Sequence, residues 1–198
     1  MKKILAALML MTSLMAWADA FQFQESITAY NNRDYKTALE KFTQLANSGN
    51  VSATYNLGVM YDRGEGVVQD YKQAVRFFTM AAEQGDVRAQ TNLGLMYRDG
   101  QGVVQDYKQA VRLFTLAAEQ GYVNAQNNLG VMYDSGQGVL QDNARAHMWY
   151  NIAAANGNGV GNAQKNRDIV AGKMTAQQIE RAQQMARDCM DRNYKRCN

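Results

Sequence analysis

Proline is absent from the chain, although average usage of about 5% would supply roughly ten in a protein of this length. Pro-rich linkers, collagen-like segments and proline-kinked helices are therefore excluded together, and continuous helices are favoured. Histidine occurs once and cysteine twice, too few to build a His- or Cys-ligated metal site in the usual way. No run of Lys or Arg exceeds two residues and the net charge is +3, so a nucleic-acid backbone finds no clustered basic face. Beyond residue 20 no apolar run approaches the roughly 18 residues that identify a membrane-spanning helix. What is present is ordinary: 46% apolar and 20% charged residues among 198, inside the range of chains that fold.

Residues 1–20 read as a signal peptide. Lys2 and Lys3 give a positive start, Ile4 to Met15 form an apolar stretch too short to span a bilayer, and Ala18-Asp19-Ala20 is a small-x-small cleavage signal. Cleavage after Ala20 and cleavage after Ala18, through Ala16-Trp17-Ala18, both satisfy the rule. No cysteine follows either site, which argues against a lipid-anchored precursor, and the form resembles bacterial export. The mature chain is expected in the periplasm or secreted.

A 36-residue period dominates the rest. Asp34, Asp70, Asp106 and Asp142 stand 36 residues apart, and each opens the same pattern. Within one copy, Asp70 is an N-cap with Gln73 three residues on, and Tyr71, Ala74, Val75, Phe78, Ala81 and Ala82 form one apolar stripe closed by Gly85. A second stripe, Val87, Ala89, Leu93, Met96 and Tyr97, is closed by Gly100. Neither helix can bury its stripe alone, whereas a stack of such pairs buries them all, which defines a solenoid. Gly58, Gly94 and Gly130 interrupt the second helix at about 1 kcal/mol each against Ala. They predict close helix contact, with the small Ala81-Ala82 pair as the expected neighbour.

Asn-Leu-Gly-x-Met-Tyr at 56–61, 92–97 and 128–133, the following Gly-x-Gly-Val and Asp-Tyr-Lys-x-Ala, and Ala-Ala-Glu-Gln-Gly at 81–85 and 117–121 resemble the Sel-1-like repeat, a relative of the tetratricopeptide repeat. The resemblance covers roughly residues 23–171. It implies an all-α fold, an α/α superhelix of tandem helix pairs whose Asn-Leu-Gly helices line the concave side, where such proteins bind extended peptides. Some cysteine-rich members of that family are linked to β-lactamase activity and carry a cysteine pair in each unit, a pair missing here.

The expected organisation is a signal peptide at 1–20, an N-terminal half-repeat helix at 21–33, a repeat solenoid at 34–157, a degenerate last repeat at 158–174 and a capping helix with its tail at 175–198. Phe23, Ile27 and Tyr30 carry the half repeat. The last unit has Gly157-Asn-Gly-Val-Gly161, which adds two residues, and Arg167-Asp168 where the others have Leu-Gly. Thr175 with Gln178 forms a capping box, Met174 and Ile179 are spaced as a hydrophobic staple, and Ile179, Ala182, Met185, Ala186 and Cys189 make one stripe.

Catalysis finds little footing. His147 has no partner at metal-ligand spacing and reads as a surface or packing residue. None of Ser26, Ser48, Ser52 and Ser135 sits in Ser-x-x-Lys or Gly-x-Ser-x-Gly. The Gly-x-Gly loops follow helices and recur at every repeat, so they read as turns rather than phosphate cradles, and Asp62, Asp99 and Asp134 do not reproduce a calcium hand. No catalytic residue, metal or cofactor is expected. Cys189 and Cys197 are read as a disulfide in an oxidising compartment, with an intermolecular or reactive thiol pair as the rival.

Residues 70–105 and 106–141 differ at nine positions, and Arg88/Asn124, Thr91/Asn127, Leu95/Val131, Arg98/Asp134 and Asp99/Ser135 fall at helical steps on one face of the second helix. Lys72/Lys108, Gln73/Gln109, Arg76/Arg112 and Glu83/Glu119 on the first helix do not vary. A partner-binding face and plain solvent exposure both accommodate this. The candidate face adds Ser52, Tyr55, Asn56, Val59, Asp62 and Arg63 from the first copy and Asn92 and Asn128 from the later ones. One apolar spot per repeat (Val59, Leu95, Val131 and Ile169) accompanies an Asn one turn earlier, whose amide offers the donor and acceptor that a peptide backbone requires. An Asn that ties repeats together is the competing reading. The expectation is a monomeric, non-catalytic scaffold or adaptor that binds a protein or extended peptide in the bacterial cell envelope. A β-lactamase-like or cell-wall hydrolase and a binder of peptidoglycan or a host protein are the alternatives.

Overall fold

The computed structural model describes residues 19–157 and 162–197. Among them are ten α-helices and no strand: α1 (19–31), α2 (Tyr35–Asn47), α3 (Val51–Arg63), α4 (Tyr71–Glu83), α5 (Val87–Asp99), α6 (Tyr107–Ala118), α7 (Val123–Ser135), α8 (Asn143–Asn156), α9 (Ala163–Ala171) and α10 (Ala176–Asp191). Of the expected signal peptide, all but Asp19 and Ala20 lies outside the described residues, and those two are exposed and helical. The chain divides into two compact units, one ending at Gln84 and the other beginning at Gly85.

The Asp-opened helices α2, α4, α6 and α8, called outer, each start where an aspartate supplies the missing acceptor, and the helices α3, α5 and α7 that follow the first three of them are called inner. Asp70 accepts from the amides of Lys72 and Gln73, Asp106 from those of Lys108 and Gln109, and Asp142 from that of Arg145. Inner helices α3 and α5 are capped the same way by Asn50 and Asp86, but α7 has Tyr122 there and no side-chain cap bond. Inner helices end in a left-handed glycine, as at Gly136 with φ 70°. Gly138 follows with φ 75°, and a Cβ there would strike the Tyr107 backbone, so this loop needs glycine for both its turn and its close approach. Each loop is closed by a glutamine whose amide donates back to the inner helix: Gln69 to the Asp62 carbonyl, Gln105 to that of Arg98 and Gln141 to that of Asp134, all at 2.7 Å.

In the first unit, Phe42, Leu45, Leu57 and Met60 form the core, and α1 lies over it with the Phe23 and Tyr30 rings 6.0 and 6.4 Å from Phe42. Tyr30 donates its hydroxyl to Glu65, and burial together with that carboxylate pushes its pKa up to about 12. Helix α1 thus covers α2.

The mid-helix glycines do mark close contact, but the neighbour differs from the expected alanine pair. An ideal Cβ on Gly58 would lie 2.6 Å from the Phe78 ring, and within the second unit Gly94 and Gly130 face Phe114 and Tyr150 at 2.7 Å. The ring of the following outer helix sits on the bare backbone of the inner one. Ala81, Ala117 and Ala118 are buried in the core, but the atoms nearest each glycine position belong to the rings.

The second unit centres on Phe114, Leu129, Met132, Trp149, Tyr150 and Ile152. Helix α10 opens with a reciprocal Thr175/Gln178 capping box, packs on α8 and buries Ala182, Ala186 and Cys189. Cys189 and Cys197 are bonded, with Cα atoms 5.2 Å apart. In α9, Ala163 and Val170 are buried at the places of Ala125 and Met132, which puts Arg167 and an exposed Asp168 at those of Leu129 and Gly130. The insertion that creates this offset falls largely at 158–161, outside the described residues.

Gly94→Leu is expected to destabilise the chain by about 1–3 kcal/mol or more, as overpacked cores do, and Phe114→Ala in the same chain should recover part of the loss. Urea unfolding of both variants measures this, and an unchanged midpoint for Gly94→Leu would refute the ring-on-glycine contact.

Candidate partner-binding site

The candidate residues separate into packing groups and open groups once their surroundings are known. In the first unit, Val59 is 9% exposed and Tyr55 packs its ring 5.8 Å from Phe78. Asn56 donates to the Ser52 carbonyl, and half-buried Asp62, beside exposed Arg63, has its pKa raised by burial. Val59 is therefore core rather than the apolar spot its spacing predicts.

In the second unit Thr91 is 3% exposed and its hydroxyl returns to the Val87 carbonyl, so it too belongs to the interior. Its counterpart Asn127 accepts from Asn166 of α9 at 3.2 Å. The two copies of this position therefore have different packing neighbours. Leu95 and Val131 are half-buried at the edge of the core, and Ile169 on α9 is 52% exposed.

The charged rim is internally compensated. Arg88 pairs with Asp86, Arg98 with Asp99 at 2.7 Å, Lys173 with Asp134 at 2.8 Å and Arg167 with Asp168 at 2.8 Å. Hydrogen bonding to Asp99 is the main cause that holds the Arg98 pKa up. Asn124 is exposed and donates to the Tyr122 hydroxyl at 3.4 Å.

Two amides that the sequence reading did not single out tie the helices. Gln90 accepts from Gln120 at 3.1 Å, and Gln126, fully buried, accepts from Asn156 at 3.2 Å and donates to the Ala118 carbonyl. Both links join an inner helix to the end of the next outer helix across 30 residues. Their shared 36-residue spacing was the available signal. Asn92 and Asn128, two residues further along, are half-buried and make no hydrogen bond to a described residue. The tie proposed for asparagine is made by glutamine, and the asparagine amides stay open beside Leu95 and Val131.

His147 is buried at 2% exposure, which resolves its reading in favour of packing, and its Nδ1, like the Trp149 indole nitrogen, lacks a hydrogen-bond partner among the described residues. Burial, then Arg167, lowers its pKa, against a smaller opposing effect of Asp168. Among the described residues no three His, Cys, Asp or Glu side chains converge as a metal site, and no helix is long and apolar enough to cross a membrane.

This is a scaffold built of repeated helix pairs, with its polar chemistry spent on caps, loop closure and inter-helix ties. The Sel1 repeat model matches residues 51–86, 87–122 and 123–158, just over half of the chain, and the chain belongs to that family. Each matched segment is an inner helix with the outer helix whose ring rests on it, α3 with α4, α5 with α6 and α7 with α8. A crystal structure of a Sel1 repeat protein from Oxalobacter formigenes is similar at 28% identity and TM-score 0.65, covering 84% of this chain and 75% of that one. A protective antigen of uropathogenic Escherichia coli strains with an SLR fold is similar at 28% identity and TM-score 0.55; 90% of this chain is covered, which spans about half of that longer protein (47%). No curated protein matches the chain. Sel1 repeats form helical scaffolds typical of protein–protein interaction.

The buried histidine makes stability depend on pH. An unfolded His147 takes up a proton near its ordinary value of 6.5 and the folded one does so only lower, so stability is complete above about 6.5 and falls as pH drops below it, by at most about 1.4 kcal/mol per pH unit. His147→Leu should flatten that part of the profile in chemical denaturation between pH 7 and pH 5. An unaltered slope would show that the histidine is not held neutral.

Proposed function

We propose that this protein is an exported adaptor of the bacterial cell envelope that holds an extended segment of a protein partner along the inner helices of its second unit. The observation that carries the reading is the pair of open amides at Asn92 and Asn128, 36 residues apart, each half-buried next to an apolar residue, Leu95 or Val131. An unpaired half-buried amide is costly to a fold and useful to a ligand, because it can donate to and accept from one backbone. The rim charges already pair with one another, which leaves apolar contact and backbone hydrogen bonding to provide the affinity. Such a strip selects an extended segment of mixed charge with alternate apolar side chains. Arg98, Asp99, Asn124 and Asp134 then border the segment, while Thr91 supports it from beneath. Export is supported by the leader pattern at 1–20 and by the disulfide, a bond that persists in oxidising compartments.

Replacing Asn92 and Asn128 together by Ala should weaken partner capture by about 1–3 kcal/mol for each partner group left unpaired. Replacing Arg76 and Arg112 on the outer helices should not. Crosslinking in the native envelope with mass spectrometry reads the difference, after melting has shown that both variants fold. A folded inner-face variant that still captures every partner, with an outer-face variant that loses them, would move the site to the outer helices.

A further inference from the structure

A concave pocket of about 250 Å³ lies between the first turn of α8, the end of α10 and the disulfide-bonded tail. Its floor is Met148, Met185 and the Cys189–Cys197 bond, and its rim carries Arg145, Arg192 and Arg196 with Asp188 as the one acid. Three arginines and one carboxylate line the pocket, and the Arg145 guanidinium also lies 5.6 Å over the Tyr133 ring and 3.7 Å from Asp142. The side chains of Arg192 and Arg196 form no ion pair with a described residue. Bringing like charges to one concavity is unfavourable in the absence of an anion.

The tail is also held more firmly than a chain end requires. Besides the disulfide, the Tyr194 hydroxyl donates to Asn156 at 3.1 Å, its ring lies against Gly121, and the Arg196 amide donates to Glu119. Asn193, Tyr194 and Arg196 take left-handed backbone conformations, with φ of 51°, 63° and 55°, which are unfavourable for residues bearing a Cβ. These ties fold the tail back, and Arg192 at the end of α10 and Arg196 in the tail line the same pocket as Arg145.

We propose that this pocket binds a small dianionic oxyanion, of the phosphate or phosphate-monoester class, with Arg192 and Arg196 as its principal ligands and Arg145 completing the clamp. The net charge of the lining matches a dianion, and the planar guanidinium fork suits tetrahedral oxyanions. The site depends on the disulfide, since that bond holds the tail that carries Arg196 against the end of α10. It stands apart from the inner-helix strip and does not rest on the adaptor reading.

Inorganic phosphate and phenyl phosphate, titrated at pH 8 into the oxidised protein by calorimetry against sodium chloride of equal ionic strength, test this directly, with succinate as a third arm. Saturable binding of phosphate is expected, weakened by about tenfold or more in Arg192→Gln/Arg196→Gln, whose two exposed positions leave the core untouched, and weakened likewise in Cys189→Ser/Cys197→Ser. Arg76→Gln/Arg112→Gln should bind as the parent does. Phenyl phosphate equal to or tighter than phosphate would mark a monoester as the ligand, and phosphate alone would mark the free ion. Heat no larger than that of chloride, equal binding by the Arg192/Arg196 variant, or succinate preferred over both phosphates would overturn the proposal.

Discussion

The contact on which the repeats depend is an aromatic ring laid on a helix backbone that has no side chain at that point. Phe78 on Gly58, Phe114 on Gly94 and Tyr150 on Gly130 set the separation of each inner helix from the outer helix after it. Much else follows from that separation. The loop between the two must turn within a few residues, hence its left-handed glycines, and its glutamine must reach back 7 residues to close it. The second unit adds its amide ties, Gln90 to Gln120 and Gln126 to Asn156, at the other end of the same helices. Helix glycine is locally unfavourable, and the ring that fills its place offsets the cost through packing.

The same contact explains how the series stops. Helix α9 keeps the two small or apolar anchors of an inner helix, Ala163 and Val170, but presents Arg167 and Asp168 where a ring would need a leucine and a glycine. Asp168 is exposed and paired with Arg167. A further outer helix has no seat there, and α10 packs on α8 instead. Terminal units with a polar outer face are what a quasi-one-dimensional fold needs at its ends to stay soluble.

The fold was legible because its determinants are local and periodic. Aspartate caps, glycine stops and two apolar stripes recur every 36 residues, and the structure has a helix wherever they predict one. The partner of Gly94 was not legible, since a small residue announces a close neighbour without naming it. The candidate face was legible only in part. Asn92 and Gln90 are amides two residues apart, so about 200° of helix rotation separates them, and one looks outward while the other is buried. Both types recur in each later copy, so comparing copies could not tell tie from open group. Asn127 accepts from Asn166 of α9, whereas Thr91 turns back to its own helix at Val87, a long-range difference that no local pattern carries.

The near-identity of residues 70–105 and 106–141 has a bearing on how this chain can change over time. Gln69 and Gln105 precede the same Asp-Tyr-Lys start and close the same loop, and Phe78 and Phe114 present the same ring to a glycine. Excision of residues 70–105 would rejoin Gln69 to Asp106 with the same Asp-Tyr-Lys start and the same ring for a glycine, and duplication would do the same in reverse. Length is therefore a nearly neutral variable for the architecture, whereas the inner-helix strip would shorten or grow by one asparagine and one apolar spot at a time. A lineage carrying such a gene can lengthen or shorten the proposed strip in whole steps, with the loop closure and the ring-on-glycine contact kept.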